Sequence, residues 1–314
     1  MLKCASFFAG VGGIDLGFKQ AGFDIVFANE FDPNACQTFQ ANFKTKLDSR
    51  SIIDLPTQDI PDFDVMIAGF PCQAFSIAGK QQGFNDKGRG DLFFELERIF
   101  KAKKPKIIFL ENVKNLVSHD KGRTFEIIKQ SLISNGYHIK FQVLNASHLG
   151  VAQNRERIYI VCFLDKNLCD KFEFPKPFQL NKQVSDYLEN ESNIDSKYYY
   201  KESTPFFDEL SIVSDAKTVY QWRRKYVRKN MSNLCPTLTA NMGTGGHNVP
   251  LINSQGKRTT VRKLTPRECF NFQGYPKDFI LPKLADCHLY KQAGNSVVVP
   301  VIRQIAEQII LTLK

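Results

Sequence analysis

The feature that most constrains this chain is an alternation of short apolar runs with amphipathic segments through its first half. LKCASFF ends in a glycine-rich turn, IDLGFKQAGF follows with helical spacing, and DIVFANE comes next. The same unit recurs as DVMIAGF, DLFFELERIFKAKK and KIIFLEN. This alternation predicts a mostly parallel sheet with helices on both faces. HIKFQVLNA and RIYIVCFL are close in sequence, and we expect them to form a hairpin that closes the sheet.

The alternation weakens after about Pro175. From Lys182 to about Lys263 the chain is polar, rich in Asn and Ser and punctuated by glycine, which predicts a second, smaller domain. The last 21 residues, 294–314, indicate a helix whose apolar face docks back on the first domain, with Pro300 in its first turn. We therefore predict an α/β protein in which residues 1–181 and 294–314 form one domain and residues 182–293 form the other.

The charge balance points to a polyanionic partner. The chain has 42 basic and 32 acidic residues, a formal net charge of +10. Part of the excess lies in QWRRKYVRK, Gln221 to Lys229, where aromatic side chains stand between the basic ones. This composition suits phosphate contact with stacking, and it also suits a solvated basic face.

The eight cysteines form no CxxC pair and have no histidines at metal-ligand spacing, so we expect no metal site. No apolar run approaches the roughly 18 residues that span a bilayer, and we find no targeting segment. Free thiols and a cytoplasmic location follow as expectations, and one thiol could be a nucleophile.

The turn after the first predicted strand reads FAGVGG, Phe8 to Gly13. Small residues there let a ligand approach the backbone amides, and Glu30, 20 positions after Gly10, ends the next strand, where a carboxylate can accept hydrogen bonds from a ribose. On these features alone NAD, FAD and S-adenosylmethionine all remain open. The pattern GxGG rather than GxGxxG weakens the dinucleotide interpretation, and a simple tight turn is a further alternative.

Two more strands end in residues that carry chemistry. The fourth ends in Gly69-Phe70-Pro71-Cys72-Gln73 and the fifth in Glu111-Asn112-Val113. Open α/β sheets bind ligands at the carboxyl ends of their strands, so we expect Cys72 and Glu111 to meet beside the glycine loop. A lone cysteine is more often a small buried apolar residue. The preceding proline and the polar residues that follow argue against a strand interior here.

In their order along the chain, FAGVGG, GFPCQ, ENV, QNRER, RECFNFQGYP and GNSV resemble the motifs of the cytosine-C5 DNA methyltransferase family. The resemblance covers residues 1–175 and 262–314. The stretch between them is similar to the variable target-recognition region of bacterial type II modification methyltransferases, with its usual Thr237-Leu238 pair. QAFSIAGKQ, LFFELERI and ENVKNLVSHD look close to relatives that modify GCGC-containing sites.

The resemblance implies a Rossmann-like S-adenosylmethionine-dependent fold and a covalent mechanism. Cys72 would add to carbon 6 of cytosine, which makes carbon 5 nucleophilic. Glu111 would act at N3, provided that its pKa is raised enough for it to hold a proton. Arg155 would contact the base carbonyl oxygen and Arg157 the active-site loop and phosphate. The structural alternative for both arginines is an ion-pair network with Glu156.

S-adenosylmethionine, with S-adenosylhomocysteine as product, is the cofactor that the resemblance implies, without a metal. The resemblance places Glu30 on the ribose and Phe31 against the adenine. The remaining implied contacts are Phe8, Gly10, Gly12, Pro71, Leu92 and Asn295. Where relatives commonly have Asp-Ile at the adenine, this chain has Ser51-Ile52, so that either Ser51 or Asp48 accepts the adenine amino group, or the contact is missing.

Double-stranded DNA is the implied partner of a monomeric enzyme that is paired in function with a restriction endonuclease. The target base must leave the stack, and the glycine-containing stretch between Cys72 and Leu92 suits a loop that closes over DNA. The candidate DNA contacts are Ser76, Gln81, Arg224, Arg228, Thr237, Leu238, Asn241 and Gly245.

Three alternatives remain at this stage. The first is the same chemistry on transfer RNA, as in one branch of the family. The second is a nucleotide-dependent oxidoreductase, and the third is a catalytically silent DNA-binding module. The last two leave the combination of Cys72, Glu111 and Arg155 unexplained.

Overall fold

A computed structural model describes residues 1–71, 92–230, 232–245, 247–253, 255 and 257–314. Cys72, Ser76 and Gln81 lie outside the described residues. The described chain divides into two compact units. The first comprises Met1–Leu144, Glu156–Pro175 and Ile302–Lys314, and the second Asn145–Arg155 and Lys176–Val301. The two predicted domains, residues 1–181 with 294–314 and residues 182–293, differ from these two units in the segments 145–155, 176–181 and 294–301.

The first unit is built on a seven-stranded sheet in the order β3-β2-β1-β4-β5-β8-β6. Its strands are β1 (Lys3–Phe7), β2 (Asp24–Asn29), β3 (Leu47–Asp48), β4 (Val65–Gly69), β5 (Ile107–Val113), β6 (His138–Asn145) and β8 (Glu156–Phe163). β1 to β5 pair in parallel, and β8 runs antiparallel to β5. The prediction of a mostly parallel sheet is confirmed.

The helices of this unit are α1 (Gly13–Ala21), α2 (Pro33–Asn42), α3 (Leu92–Lys103), α4 (Arg123–Ser134), α5 (Lys166–Lys171) and most of α8 (Val299–Thr312). Local sequence sets their ends. Asp32 caps α2 by accepting hydrogen bonds from the Asn34 and Ala35 N–H groups, and Pro33 begins the helix. Gly22, at φ 100°, ends α1.

The core of the first unit is aromatic and aliphatic. Phe7, Phe27, Phe93 and Phe100 are fully buried within one cluster between the sheet and the helices. α8 packs closely on α1, because a Cβ at Gly17 would lie 2.6 Å from Ile302 Cγ2. Burial of this apolar surface is the main favourable contribution to folding of the unit.

The second unit carries an antiparallel sheet in the order β10-β9-β12-β13 and a two-stranded parallel pair, β7 with β11. The strands are β7 (Gln153–Asn154), β9 (Tyr220–Trp222), β10 (Val227–Arg228), β11 (Cys235–Pro236), β12 (Val249–Asn253) and β13 (Val261–Lys263). Its helices are α6 (Pro266–Phe272) and α7 (Asp286–Asn295). Trp222, 5% exposed, stacks on Phe206 with ring centroids 4.1 Å apart.

A capping box begins α6, in which Thr265 and Glu268 each accept a hydrogen bond from the other's backbone N–H group. Glu268 also binds the guanidinium of Arg262, and both side chains are completely buried. None of the helices that the structure describes is long and apolar enough to cross a membrane. Among the described residues no group of three or more His, Cys, Asp or Glu side chains is arranged to hold a metal.

Candidate active site

The glycine-rich turn between β1 and α1 is held in a left-handed conformation. Phe8, Gly10 and Gly12 have φ angles of 53°, 57° and 84°. A Cβ at Gly12 would lie 2.3 Å from Phe43 Cε2, so no other residue fits there without displacing that ring. A Cβ at Gly10 would meet nothing within 4 Å. The turn therefore leaves open space beside its backbone, as a bound ligand requires.

Glu30 locks this turn to the end of β2. Its Oε2 accepts a hydrogen bond from the Gly10 N–H group at 2.8 Å, and its Oε1 accepts one from the Asp32 N–H group at 2.8 Å. The side chain is only 8% exposed, yet each carboxylate oxygen keeps a further lone pair that can accept a ribose hydroxyl. Phe31, the next residue, is 64% exposed. A fixed carboxylate, an exposed aromatic ring and an open glycine turn fit a nucleoside cofactor such as S-adenosylmethionine.

The two candidates for the adenine amino group both have partners within their own loop. Arg50 donates to both carboxylate oxygens of Asp48, and these hydrogen bonds lower the pKa of Asp48. Ser51 Oγ accepts a hydrogen bond from the Ile53 N–H group at 3.4 Å, at the start of a short 3₁₀ turn. The geometry does not favour either residue for the contact.

Glu111 lies at the carboxyl end of β5, beside the end of β4. A Cβ at Gly69 would lie 3.5 Å from Glu111 Oε2, an ordinary contact distance, so the carboxyl group lies directly beside the end of β4. Asn112 Nδ2 donates to the Phe70 carbonyl oxygen at 2.9 Å, which ties the chain leading to Pro71 and Cys72 to β5. Asn112 belongs to the ENV motif, and its anchoring role is visible only from the tertiary structure.

Arg157 forms an ion pair with Glu111. The Nε of Arg157 lies 3.1 Å from Glu111 Oε1, and both side chains are largely buried. The antiparallel register between β5 and β8 places Arg157 opposite Val113, two residues beyond Glu111. Glu156 pairs instead with Lys114, at 3.0 Å. The structure thus brings Arg157 and Glu111 together, and the arrangement fixes the orientation of the carboxyl group.

Arg155 belongs to the second unit and is 3% exposed. Its Nη1 donates to the Leu238 carbonyl oxygen at 2.8 Å, and its Nη2 donates to the carbonyl oxygens of Gly294 and Ser296 at 3.0 and 2.5 Å. Asn295, between these two acceptors, is exposed at the end of α7. In the first unit Pro71 is exposed and Leu92, partly buried, begins α3.

The basic stretch forms a short hairpin of β9 and β10. Arg224 lies in the turn with a φ of 68°, and the Arg223 N–H group donates to the Tyr226 carbonyl oxygen at 2.9 Å. Arg224 and Arg228 are exposed, and so is Tyr226, with 56% of its surface accessible. The hairpin therefore presents cationic and aromatic side chains to solvent, as a nucleic-acid contact requires.

The Thr-Leu segment is more buried than a direct DNA contact would suggest. Leu238 is 2% exposed, and Thr237 Oγ1 donates to the Asn154 carbonyl oxygen at 2.7 Å. Asn241 is exposed, and Gly245, at φ 78°, has open space where a Cβ would be. The polar surface available to a partner thus begins beyond Leu238.

Asp15 was not identified from the sequence. It is fully buried in the first turn of α1, where Ser6 Oγ donates to its Oδ2 at 3.0 Å, and Oδ1 has no hydrogen-bond partner among the described residues. Burial raises the pKa of Asp15 to about 7. The sequence signal for its burial is its position directly after Ile14 and three residues before Phe18, both of which are buried.

Comparison with known proteins identifies the family of the chain. The sequence model for C-5 cytosine-specific DNA methylases matches residues 2–311. The chain is 60% identical to the type II methyltransferase M.Bsp6I of Bacillus sp. over 314 residues, 98% of each sequence. It is 39% identical to the type II methyltransferase M.HhaI of Haemophilus parahaemolyticus, over 98% of this chain and 94% of that protein.

Solved structures share the fold. DNMT2 of Spodoptera frugiperda superposes with a TM-score of 0.78 at 20% identity, over 99% of this chain and 100% of that one. EhMeth of Entamoeba histolytica gives 0.76 at 20% identity, over 100% of this chain and 99% of that one. The family prediction made from the motifs is confirmed. The chain belongs to the C-5 cytosine-specific DNA methylases, enzymes that transfer a methyl group to carbon 5 of cytosine in DNA.

Proposed function

We propose that this protein is a type II modification methyltransferase that methylates a flipped-out cytosine within a short, specific duplex site through a covalent adduct with Cys72. The observation that carries the proposal is the ion pair of Glu111 with Arg157 next to Gly69, three residues before Cys72. The printed names of M.Bsp6I and M.HhaI support the type II assignment.

The catalytic groups act on the cytosine ring. The Cys72 thiolate adds to carbon 6, forming a carbon–sulfur bond and moving electron density towards carbon 5. Glu111, oriented by Arg157, takes up a proton and donates it to N3, which offsets the charge that addition places on the ring. When bound, S-adenosylmethionine would supply the electrophilic methyl group to carbon 5 and leave as S-adenosylhomocysteine. Loss of the carbon 5 proton to water and cleavage of the carbon–sulfur bond, which releases the Cys72 thiolate, then restore the ring.

The cofactor is held by the first unit's glycine turn and its surroundings. Glu30 accepts the ribose hydroxyls, Phe31 covers the adenine, and the turn at Phe8, Gly10 and Gly12 lies against the methionine part. Pro71, Leu92 and Asn295 complete the proposed set by resemblance to the family. No metal takes part in this proposal.

DNA is bound by the basic surface and by the loop that follows Cys72. Arg224 and Arg228 of the hairpin grip phosphate or read guanine, the base that arginine contacts most often in the major groove. Asn241 and Gly245 form a second contact, and the more buried Thr237–Leu238 pair leads into them. Ser76 and Gln81 contact the strand from which the cytosine has left. A GCGC-containing site is the first to test.

The proposed biological role is to protect host DNA against a restriction endonuclease. In this proposal the enzyme is monomeric, lies in the cytoplasm in association with the nucleoid, and forms no stable complex with the endonuclease. In this proposal residues 1–181 and 294–314 serve catalysis and cofactor binding, and residues 182–293 serve target recognition.

The decisive experiment is methylation of a plasmid of known sequence followed by bisulfite sequencing, which reports the methylated atom and the site together. We expect protection of one cytosine within one short motif. A duplex that contains 5-fluorocytosine at that position should form a protein–DNA adduct stable to denaturation, because fluorine cannot leave as a proton does. The Cys72→Ala variant should form none. Absence of methylated cytosine in any duplex would refute the proposal.

A second candidate is the same chemistry on transfer RNA. The glycine-rich TANMGTGG segment and the exposed cationic hairpin favour duplex DNA, because both suit approach to a wide groove. Competition between transfer RNA and plasmid for tritiated methyl transfer separates the two. Preferential labelling of RNA would overturn the DNA assignment and leave the Cys72 chemistry intact.

A further inference from the structure

Arg155 joins two segments of the second unit that are distant in sequence. Its guanidinium donates to the Leu238 carbonyl oxygen from Nη1 and to the carbonyl oxygens of Gly294 and Ser296 from Nη2. Leu238 precedes the exposed polar residues of the Thr-Leu segment, and Gly294 lies in the last turn of α7. The side chain is 3% exposed. The planar guanidinium thus joins the two segments through three backbone carbonyl groups, and we call these three hydrogen bonds the clip.

Gln153 repeats this arrangement two residues earlier. It is completely buried, and its Nε2 donates to the Phe272 carbonyl oxygen at 2.7 Å. Its Oε1 accepts a hydrogen bond from the Leu238 N–H group at 3.4 Å. Leu238 is therefore held at its N–H group by Gln153 and at its carbonyl group by Arg155. The parallel pairing of β7 with β11 fixes the residues before it.

Beyond Leu238 the chain lies directly on α7. A Cβ at Gly294 would be 2.2 Å from the Thr239 carbonyl carbon and 2.3 Å from the Ala240 nitrogen. A Cβ at Gly243 would be 2.6 Å from Tyr290 Cβ. We call residues 238–245 the recognition loop. Its backbone is seated on α7, whereas Asn241, Thr244 and Gly245 are exposed.

We propose that Arg155 is a positioning residue that holds the recognition loop on α7, and that it serves DNA affinity and site fidelity rather than contact with the flipped base. This inference rests on the proposed function, because it takes the recognition loop to face DNA. The loop's own hydrogen bonds join residues two or three apart, such as Met242 N–H to the Thr239 carbonyl oxygen at 3.1 Å and Thr244 N–H to the Asn241 carbonyl oxygen at 3.3 Å. Without the clip, DNA binding must also order the loop, which weakens affinity.

The first test is the Arg155→Lys variant, which keeps the charge but loses the planar fork. Steady-state tritiated methyl transfer to a plasmid should show the KM for DNA raised about tenfold. We expect kcat to stay within about threefold, and methylation to spread to sites that differ by one base pair. Arg267→Lys is the matched control, because Arg267 also donates to a backbone carbonyl of the second unit, that of Phe279, at 2.7 Å. Its KM for DNA should equal that of the wild type.

The second test leaves Arg155 unchanged. In Gly294→Ala the new methyl group requires Thr239 and Ala240 to shift, so the loop moves although the Arg155 side chain is retained. We expect the same rise in the KM for DNA and weaker binding of a labelled plasmid fragment without cofactor. If Arg155 contacts the base instead, Arg155→Lys lowers kcat at unchanged KM, and Gly294→Ala leaves DNA binding as in the wild type. Either result overturns the proposal.

Thermal unfolding of each variant shows whether the second unit is folded, and where Arg155→Lys does not fold, Gly294→Ala provides the test. The fragment-binding measurement requires no methyl transfer. A wild-type protein that binds the fragment but methylates nothing would therefore refute the proposed function, whereas unchanged binding by Gly294→Ala would refute only the role of Arg155.

Discussion

Removing one partner of the ion pair between Arg262 and Glu268 should strongly destabilise the second unit. Both side chains are fully buried, and the two Nη atoms of Arg262 each lie 2.8 Å from a different oxygen of Glu268. Arg262 Nε lies 2.9 Å from Glu191 Oε1. Burial by itself lowers the pKa of Arg262. The hydrogen bonds to Glu268 and Glu191 raise the pKa by more than burial lowers it, so the pKa lies above its ordinary value and the guanidinium stays charged.

Arg262→Met removes the cation and leaves the Glu268 carboxylate buried. The remaining hydrogen-bond donors to it include the backbone N–H groups of Glu189 and Thr265, at 3.1 and 2.8 Å. An uncompensated buried charge costs about 3–5 kcal/mol of unfolding free energy. At about 2–4 °C per kcal/mol for a domain of this size class, the unfolding midpoint of the second unit should fall by on the order of 10 °C.

Calorimetry and urea unfolding of the full chain measure this change. Arg303→Met is the control, because Arg303 pairs with Glu307 at 3.4 Å on the surface, where both side chains are 47% exposed. An exposed pair contributes at most about 1 kcal/mol. Arg262→Met combined with Glu268→Gln should recover part of the loss, because no unpaired charge remains on Glu268. If Arg262→Met costs no more than Arg303→Met, the argument from buried charge is wrong.

Because of Asp15, the first unit should become less stable as the pH rises from about 5 to 7. The pKa of Asp15 is about 7 in the folded chain and 3.8 in the unfolded chain, so in this range the folded chain keeps a proton that the unfolded chain has released. Urea titrations of Asp15→Asn should lack this slope, and an equal slope in both proteins would contradict the reasoning. Glu30→Ala should weaken S-adenosylhomocysteine binding at least about tenfold by calorimetry, because two backbone N–H groups and the proposed ribose contact lose their acceptor; unchanged affinity would place the cofactor elsewhere. Glu111→Gln should lower kcat by about 10²–10⁴ with DNA affinity retained, and a variant of near-normal turnover would remove Glu111 from the mechanism.

The glycine turn and Glu30 illustrate what local sequence can predict. The alternation predicted two parallel strands that end in the glycine turn and in Glu30, and the structure joins these two ends through a hydrogen bond of 2.8 Å. The positions of the strands and helices along the chain followed from periodicity, because both depend on residues close in sequence. The family followed from the order of several short motifs.

The two arginines of QNRER illustrate what local sequence cannot predict. Arg155 and Arg157 are two residues apart, which in an unbroken strand places both side chains on the same face. In the structure β7 ends at Asn154 and β8 begins at Glu156, so the two arginines belong to different compact units. Which of them meets Glu111 depends on the register of β8 with β5, a long-range property that motif order does not contain. The burial of Leu238 is likewise set by distant segments.

Trp222 is the single tryptophan of the chain, and it lies in β9 next to the cationic hairpin strand, opposite Val227. Ultraviolet excitation at the red edge of protein absorbance will therefore report on one location, where the indole stacks on Phe206. A duplex that bends or orders the hairpin should change the emission without any dye or label. The molecule thus carries an intrinsic optical probe directly beneath the surface of the hairpin, where sequence discrimination is expected to occur.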